Sequence, residues 1–117
     1  LCSIKFMPDC IFCNIANKTL QASILFEDEF LLVIKDILPK APVHLLVMPK
    51  KHIAGVNTLE NQDEELAGKI IFAAKAMAEK HGISQSGYKL VFNVGSDGGQ
   101  IIPHLHLHLL GGKKLAE

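Results

Sequence analysis

The chain has 117 residues, the size of one domain, and 49% of them are hydrophobic, enough to bury a core. Twelve Lys and Arg balance twelve Asp and Glu, so neither a nucleic-acid stripe nor an anionic-membrane surface is expected. Trp is absent, which argues against single-strand stacking platforms, and no apolar run is long enough to span a bilayer.

The start, LCSIKFMPDC, has no charged segment followed by a long apolar stretch. No secretory signal is expected, and the compartment reads as cytoplasmic. Residues 1–7 read as an extension, with Met7 a candidate start, ahead of a domain over 8–117. DCIFCNIANKTL offers an Asp cap before Ile11, Phe12 and Ile15 and predicts a short helix. SILFED and EFLLVIKD are two apolar runs split by charges at Asp28 and Glu29, a hairpin pattern. Pro39 and Pro42 mark a loop, and VHLLVMPK is a third strand ended by Pro49.

KHIAGVNTL is a short connection. From Glu60 to His81, Leu66, Ile70, Ala73, Ala74 and Met77 recur at helical spacing, and Gly82 stands where a helix stops. His81 would serve the helix dipole or the surface. YKLVFNV is a strand, GSDGGQ a glycine-rich turn, and IPHLHLHLL the last strand. One early and one central helix among adjacent strands predict an α+β fold with an antiparallel sheet of about five strands.

The last strand carries the chemistry. Side chains alternate along a strand, so His104, His106 and His108 share one face, about 7 Å apart, while Leu105, Leu107 and Leu109 share the core face. Three readings compete. The row could be an ordinary polar face. It could hold a catalytic metal. Or one neutral imidazole could attack phosphorus near pH 7, with its neighbours setting tautomers or donating a proton. The turn just before the row favours the last. Gly95, Gly98 and Gly99 let backbone N–H groups approach a phosphate without Cβ obstruction.

HLHLHLL, residues 104–110, matches the His-φ-His-φ-His-φ-φ signature (φ apolar), and the chain resembles the histidine triad (HIT) superfamily. CIFCNIANK, FEDEFLLVIKDILPKAPVHLLVMPKKHI, NVGSDGGQ and HLHLHLLGGK resemble its HINT branch in order and spacing. The resemblance implies a HIT fold with a short N-terminal and a long central helix, dimerising into one continuous sheet. It implies hydrolysis of purine nucleoside phosphoramidates, such as adenosine 5′-phosphoramidates, through a covalent nucleotidyl-histidine. His106 would be the nucleophile on the α-phosphate, and His108 would hold phosphate and assist proton movement. His104 would orient the network, and His44 would be the fourth supporting histidine. Asp36 would take the ribose hydroxyls, and Ile11, Phe12, Ile15 and Ile37 would surround the base. Asn93, Gly99, Gln100 and backbone Ile101 would face the phosphate. The apolar four have a plain alternative as core, and Asp36 as a turn residue. Ile101 stands where many relatives carry Ser or Thr, so a hydroxyl donor is missing.

Cys10 and Cys13 form a C-x-x-C pair that could be redox-active, metal-binding or incidental. His52 and His104 are the candidate further ligands. The resemblance to HIT proteins with the same pair implies a structural Cys₂His₂ zinc site. No cofactor is required for the chemistry. Two other functions remain open: a dinucleoside-polyphosphate hydrolase, and a nucleotide-binding or scaffold protein with weak catalysis.

Overall fold

The computed structural model describes residues 7–117. Cys2 and all of the expected extension except Met7 lie outside the described residues. Helix α1 (Ile11–Ala16) is capped by Cys10 and not by the expected aspartate, because the Cys10 sulfur accepts the Cys13 N–H at 3.4 Å. Strands β1 (Ile24–Glu27) and β2 (Leu31–Lys35) make the predicted antiparallel hairpin. Asp28 closes its turn, accepting the N–H groups of Phe30 and Leu31 at 2.8 and 2.7 Å. β3 (Val43–Pro49) follows, then two single 3₁₀ turns at Val56–Thr58 and Asn61–Asp63.

Helix α2 spans Glu64–Lys80, four residues later than the periodicity suggests at its start. Asp63 accounts for the delay. Its carboxylate accepts the Glu60 N–H at 3.0 Å and pairs with Lys51 at 2.7 Å, which holds the preceding turn as 3₁₀. Ile70, Ala74, Met77 and Ala78 form the buried stripe of α2. At its end the ring of His81 donates from Nδ1 at 2.9 Å to the Met77 carbonyl, which also accepts the His81 backbone N–H at 2.9 Å.

β4 (Tyr88–Val91) and β5 (Leu107–Gly111) complete a five-stranded sheet of order β1-β2-β3-β5-β4, antiparallel at every pairing. The sheet divides two cores. Leu31, Val33, Leu45, Val47, Leu105, Leu107 and Leu109 face α2, while Leu32, Ile34, Leu46 and Met48 face α1. β2 is buried on both sides, which explains its unbroken LLVI run.

Both late strands are shorter than their apolar runs. β4 ends at Val91, and residues 92–106 leave the sheet before β5 begins at Leu107. The GSDGGQ turn therefore sits in a broad excursion and not in a tight hairpin. Pro103 lacks an N–H, and His104 and Leu105 donate elsewhere, to the carbonyls of Ile102 (2.8 Å) and Ile53 (2.6 Å). The alternation outlasts the ladder: Leu105, Leu107 and Leu109 are all buried against α2.

Candidate active site

The histidine face of the sheet is the α1 face, and α1 covers only part of it. β3 turns His44, Leu46 and Met48 to this side, and β5 turns His108 and Leu110. The helix packs over Leu46 and Met48. Beyond it His108 stays half-buried, next to the buried His44. The His106 ring stands edge-on between Phe12 of α1 (centroids 5.1 Å) and His108 (5.0 Å).

Burial is the main force on every imidazole here. It lowers the His44 and His106 pKa values and, with the neighbouring His106 and His44, pushes His108 down to about 4. All three are therefore neutral at pH 7, each with one ring proton, and hydrogen-bond partners assign its position. The Lys40 N–H donates to His44 Nδ1 at 3.1 Å, so the His44 proton is on Nε2. Nε2 lies 2.9 Å from His108 Nδ1 and 3.3 Å from Asp36 Oδ2. His108 Nδ1 accepts that proton, which leaves His108 an Nε2–H donor. His106 is set the opposite way round: its Nδ1 donates to the His104 carbonyl at 2.7 Å, leaving the Nε2 lone pair free. One imidazole thus presents a lone pair and its neighbour a ring N–H.

Asp36, His44 and His108 converge closely enough to suggest a metal trio. The proton chain argues against it. A metal on His44 Nε2 would force the remaining proton onto Nδ1, which already accepts from Lys40.

The second cluster suits a metal. Donor atoms of Cys10, Cys13, His52 and His104 all lie within 4.8 Å of one another. Cys10 Sγ is 3.2 Å and Cys13 Sγ 3.7 Å from His104 Nδ1, and Cys13 Sγ is 3.4 Å from His52 Nδ1. His104 is fully buried, and its Nε2–H donates to the Pro49 carbonyl at 2.8 Å. That bond turns the Nδ1 lone pair toward the sulfurs, the outer-shell arrangement of a metal-bound histidine. Two thiols and two imidazoles at these spacings fit a closed tetrahedral zinc site.

The glycine loop is held from within. Asn93 Nδ2 donates to the Gly98 carbonyl at 2.8 Å. A Cβ on Gly98 would stand 2.3 Å from the Val94 carbonyl oxygen, so that position has no room for a side chain. Gly99 has φ +78° and its N–H closes onto the Ser96 carbonyl at 3.1 Å, a bond that a phosphate would have to share or replace. The Gln100 amide accepts from the Gly95 N–H at 3.0 Å and donates to the Ala54 and Ile102 carbonyls at 2.7 and 3.0 Å. Gln100 thus ties the loop to the chain after β3.

Comparison with known proteins agrees with this architecture. Residues 9–116 match the family model described as scavenger mRNA decapping enzyme C-term binding. A HIT family hydrolase from Legionella pneumophila superposes with TM-score 0.91 at 49% identity, over 92% of this chain and 96% of its own. The chain belongs to the histidine triad superfamily. A histidine triad protein from Clostridium difficile superposes at TM-score 0.93 and 38% identity, over 97% and 98% of the two chains. In sequence, the purine nucleoside phosphoramidase of Escherichia coli is 37% identical over 90% of this chain and 88% of its own. An uncharacterized HIT-like protein of Synechococcus elongatus is 42% identical over 92% and 94%.

Within this HIT fold His106 neighbours His108, His108 neighbours His44 and His44 neighbours Asp36, while His104 sits in the thiol cluster. Phe12 is buried, with its ring also edge-on to His104 at 5.6 Å. Ile15 is 5% exposed and packs in the α1 core, the plainer of its two readings. Ile11 is half-exposed, and Ile37 and Ile101 are almost fully exposed. A cavity of about 320 Å³ opens beside His44 and His108, walled by Lys40, Lys89, Val91, Leu110, Leu115 and Ala116. The tail forming that wall is tied down by Lys89 Nζ, which donates to the Ala116 carbonyl at 2.8 Å. Three groups that orient the histidines escape sequence reading altogether, the Lys40 N–H and the carbonyls of Pro49 and His104. All are main-chain groups, so no residue type marks them.

Proposed function

We propose that this HIT protein hydrolyses purine nucleoside phosphoramidates through a nucleotidyl-histidine. The opposed tautomers of His106 and His108 carry the reading. His106 Nε2 attacks the α-phosphorus and the P–N bond breaks. The departing amine takes the His108 Nε2 proton, and the imidazolate this leaves on His108 is offset by the imidazolium formed at the neighbouring His106, ring centroids 5.0 Å apart. The adduct leaves His106 cationic with its Nδ1–H still on the His104 carbonyl, where the carbonyl dipole stabilises the charge. Water then attacks the adduct, His108 Nε2 accepts its proton, and the nucleoside monophosphate departs with both histidines restored. Asp36 is assigned to the ribose diol, Ile11, Phe12 and Ile37 to the base side, and Asn93, Gly99 and backbone Ile101 to the phosphate. Gln100 and Ile15 support these groups from behind.

The Escherichia coli purine nucleoside phosphoramidase supports the choice of substrate class. The test is incubation with adenosine 5′-phosphoramidate, acid-free quenching and mass mapping. An adduct on His106 is expected, and His106→Ala should lose about a thousandfold or more in kcat/KM. Unchanged hydrolysis by that variant overturns the assignment. Faster turnover of diadenosine polyphosphates would move the reading to that substrate class.

Cys10, Cys13, His52 and His104 would hold a structural zinc ion, which takes no part in bond-breaking. Thiolate ligands suit a reducing compartment, consistent with the cytoplasm. No helix among the described residues is long and apolar enough to cross a membrane. The working unit is a homodimer joined at β4. That strand ends the sheet order, and Leu90 on it and Phe72 and Ile71 on α2 are exposed large apolar side chains. Light scattering should give twice the chain mass, and Leu90→Lys with Phe72→Glu should give the monomer. A monomeric native protein at micromolar concentration refutes the dimer.

A further inference from the structure

The His44 ring proton has two acceptors and can serve only one fully. Its Nε2 lies 2.9 Å from His108 Nδ1 and 3.3 Å from Asp36 Oδ2. The other Asp36 oxygen, Oδ1, is already committed to the Leu38 N–H at 2.8 Å. Oδ2 is thus the oxygen left for an incoming hydroxyl, and it is the same oxygen that draws on His44. The His44 ring cannot turn away, because the Lys40 N–H holds its Nδ1 and its side chain is 1% exposed.

We infer that Asp36 couples sugar recognition to proton donation: a ribose hydroxyl that engages Oδ2 releases the His44 Nε2–H wholly to His108 Nδ1. That bond fixes the His108 proton on Nε2, where the leaving amine needs it. Without a diol the His44 proton stays divided, and His108 holds its donor tautomer less firmly. Asp36 is in this scheme a positioning residue for His108, acting through His44. The ribose diol therefore contributes to the rate as well as to binding. The inference rests on the phosphoramidase reading for its substrate, and it extends that reading to ribonucleosides over sugars lacking the diol.

The experiment compares adenosine 5′-phosphoramidate with its 2′,3′-dideoxy analogue. In the wild type, loss of the diol should lower kcat by about tenfold as well as raise KM. Asp36→Asn is a weaker acceptor for the His44 proton, so its kcat should become nearly the same for both sugars. A loss confined to KM, with equal kcat for both sugars in the wild type, overturns the coupling. A second measurement needs no turnover and no variant. AMP should move the His44 and His108 ring ¹⁵N resonances toward the fixed tautomer pair, and 2′,3′-dideoxy-AMP should not. Equal shifts with both ligands, or none with AMP, overturn it. Turnover without any sugar effect would sink the coupling alone. Absent turnover of the ribose substrate would sink the phosphoramidase reading, and the ¹⁵N shifts would still decide the coupling.

Discussion

Ile101 stands 91% exposed beside the glycine loop, at the position where the family resemblance leads one to expect Ser or Thr. Its side chain contributes little packing, so replacing it should leave stability within about 0.5 kcal/mol. A hydroxyl there gains one hydrogen bond to phosphate or leaving group, worth about 1 kcal/mol. Ile101→Ser should therefore raise kcat on an adenosine phosphoramidate by about fivefold, with an unchanged melting temperature. An equal rate in steady-state assay would mean that the backbone N–H already does the work. Much at this scale was legible in the chain. The alternation in HLHLHLL predicts leucines inward, and all three are buried. The inequality of the histidines was legible only through the family resemblance, and its physical cause was not. His104 turns out fully buried among thiols and His106 exposes a lone pair, because main-chain carbonyls at Pro49 and His104 take their protons.

Helix α1 has six residues, too few to persist on its own. Phe12, Ile15 and Ala16 bury its inner face, and the Cys10–Cys13–His52–His104 cluster ties its first turn to the chain after β3 and to the histidine segment. Zinc there would fasten three segments far apart in sequence. Protein purified without chelator should carry one zinc per chain by elemental analysis. Cys13→Ser should carry none and melt several degrees lower, as a loss of about 2 kcal/mol or more predicts for a domain this size. Reduced protein with no zinc removes the site. The short helix and the C-x-x-C pair were both readable from the sequence, but the cap was not, since a cysteine sulfur does here what an aspartate was expected to do. The extra length predicted for α2 and β4 has the same origin. Apolar periodicity runs on through residues whose backbone groups are claimed locally, by Asp63 at one end and by the glycine loop at the other.

The molecule as a whole keeps its buried histidines neutral, and this sets its response to acid. An unfolded imidazole titrates near 6.5, whereas His108 in the fold is held down to about 4 and His44 is also lowered. Between those values the unfolded chain binds protons that the folded chain refuses, so stability rises with pH and is lost as pH falls from about 6.5 toward 4. Two carboxylates act in the same direction at lower pH. Asp63 is lowered by its bonds to Lys51 and the Glu60 N–H, and Glu27 by Lys18 and Lys50. Their contribution is complete above the ordinary carboxylate range and disappears as pH falls through their lowered values. Acid unfolding should thus come in two stages, histidines first. Denaturant midpoints measured at pH 7.5, 6, 5 and 4 with a constant m-value should decline from pH 6 downward. The decline should persist in chelator, because His44 and His108 lie outside the thiol cluster. A midpoint flat from pH 7.5 to 5 would show that these imidazoles are not neutral by burial, and with them the tautomer assignment of His108 would fall.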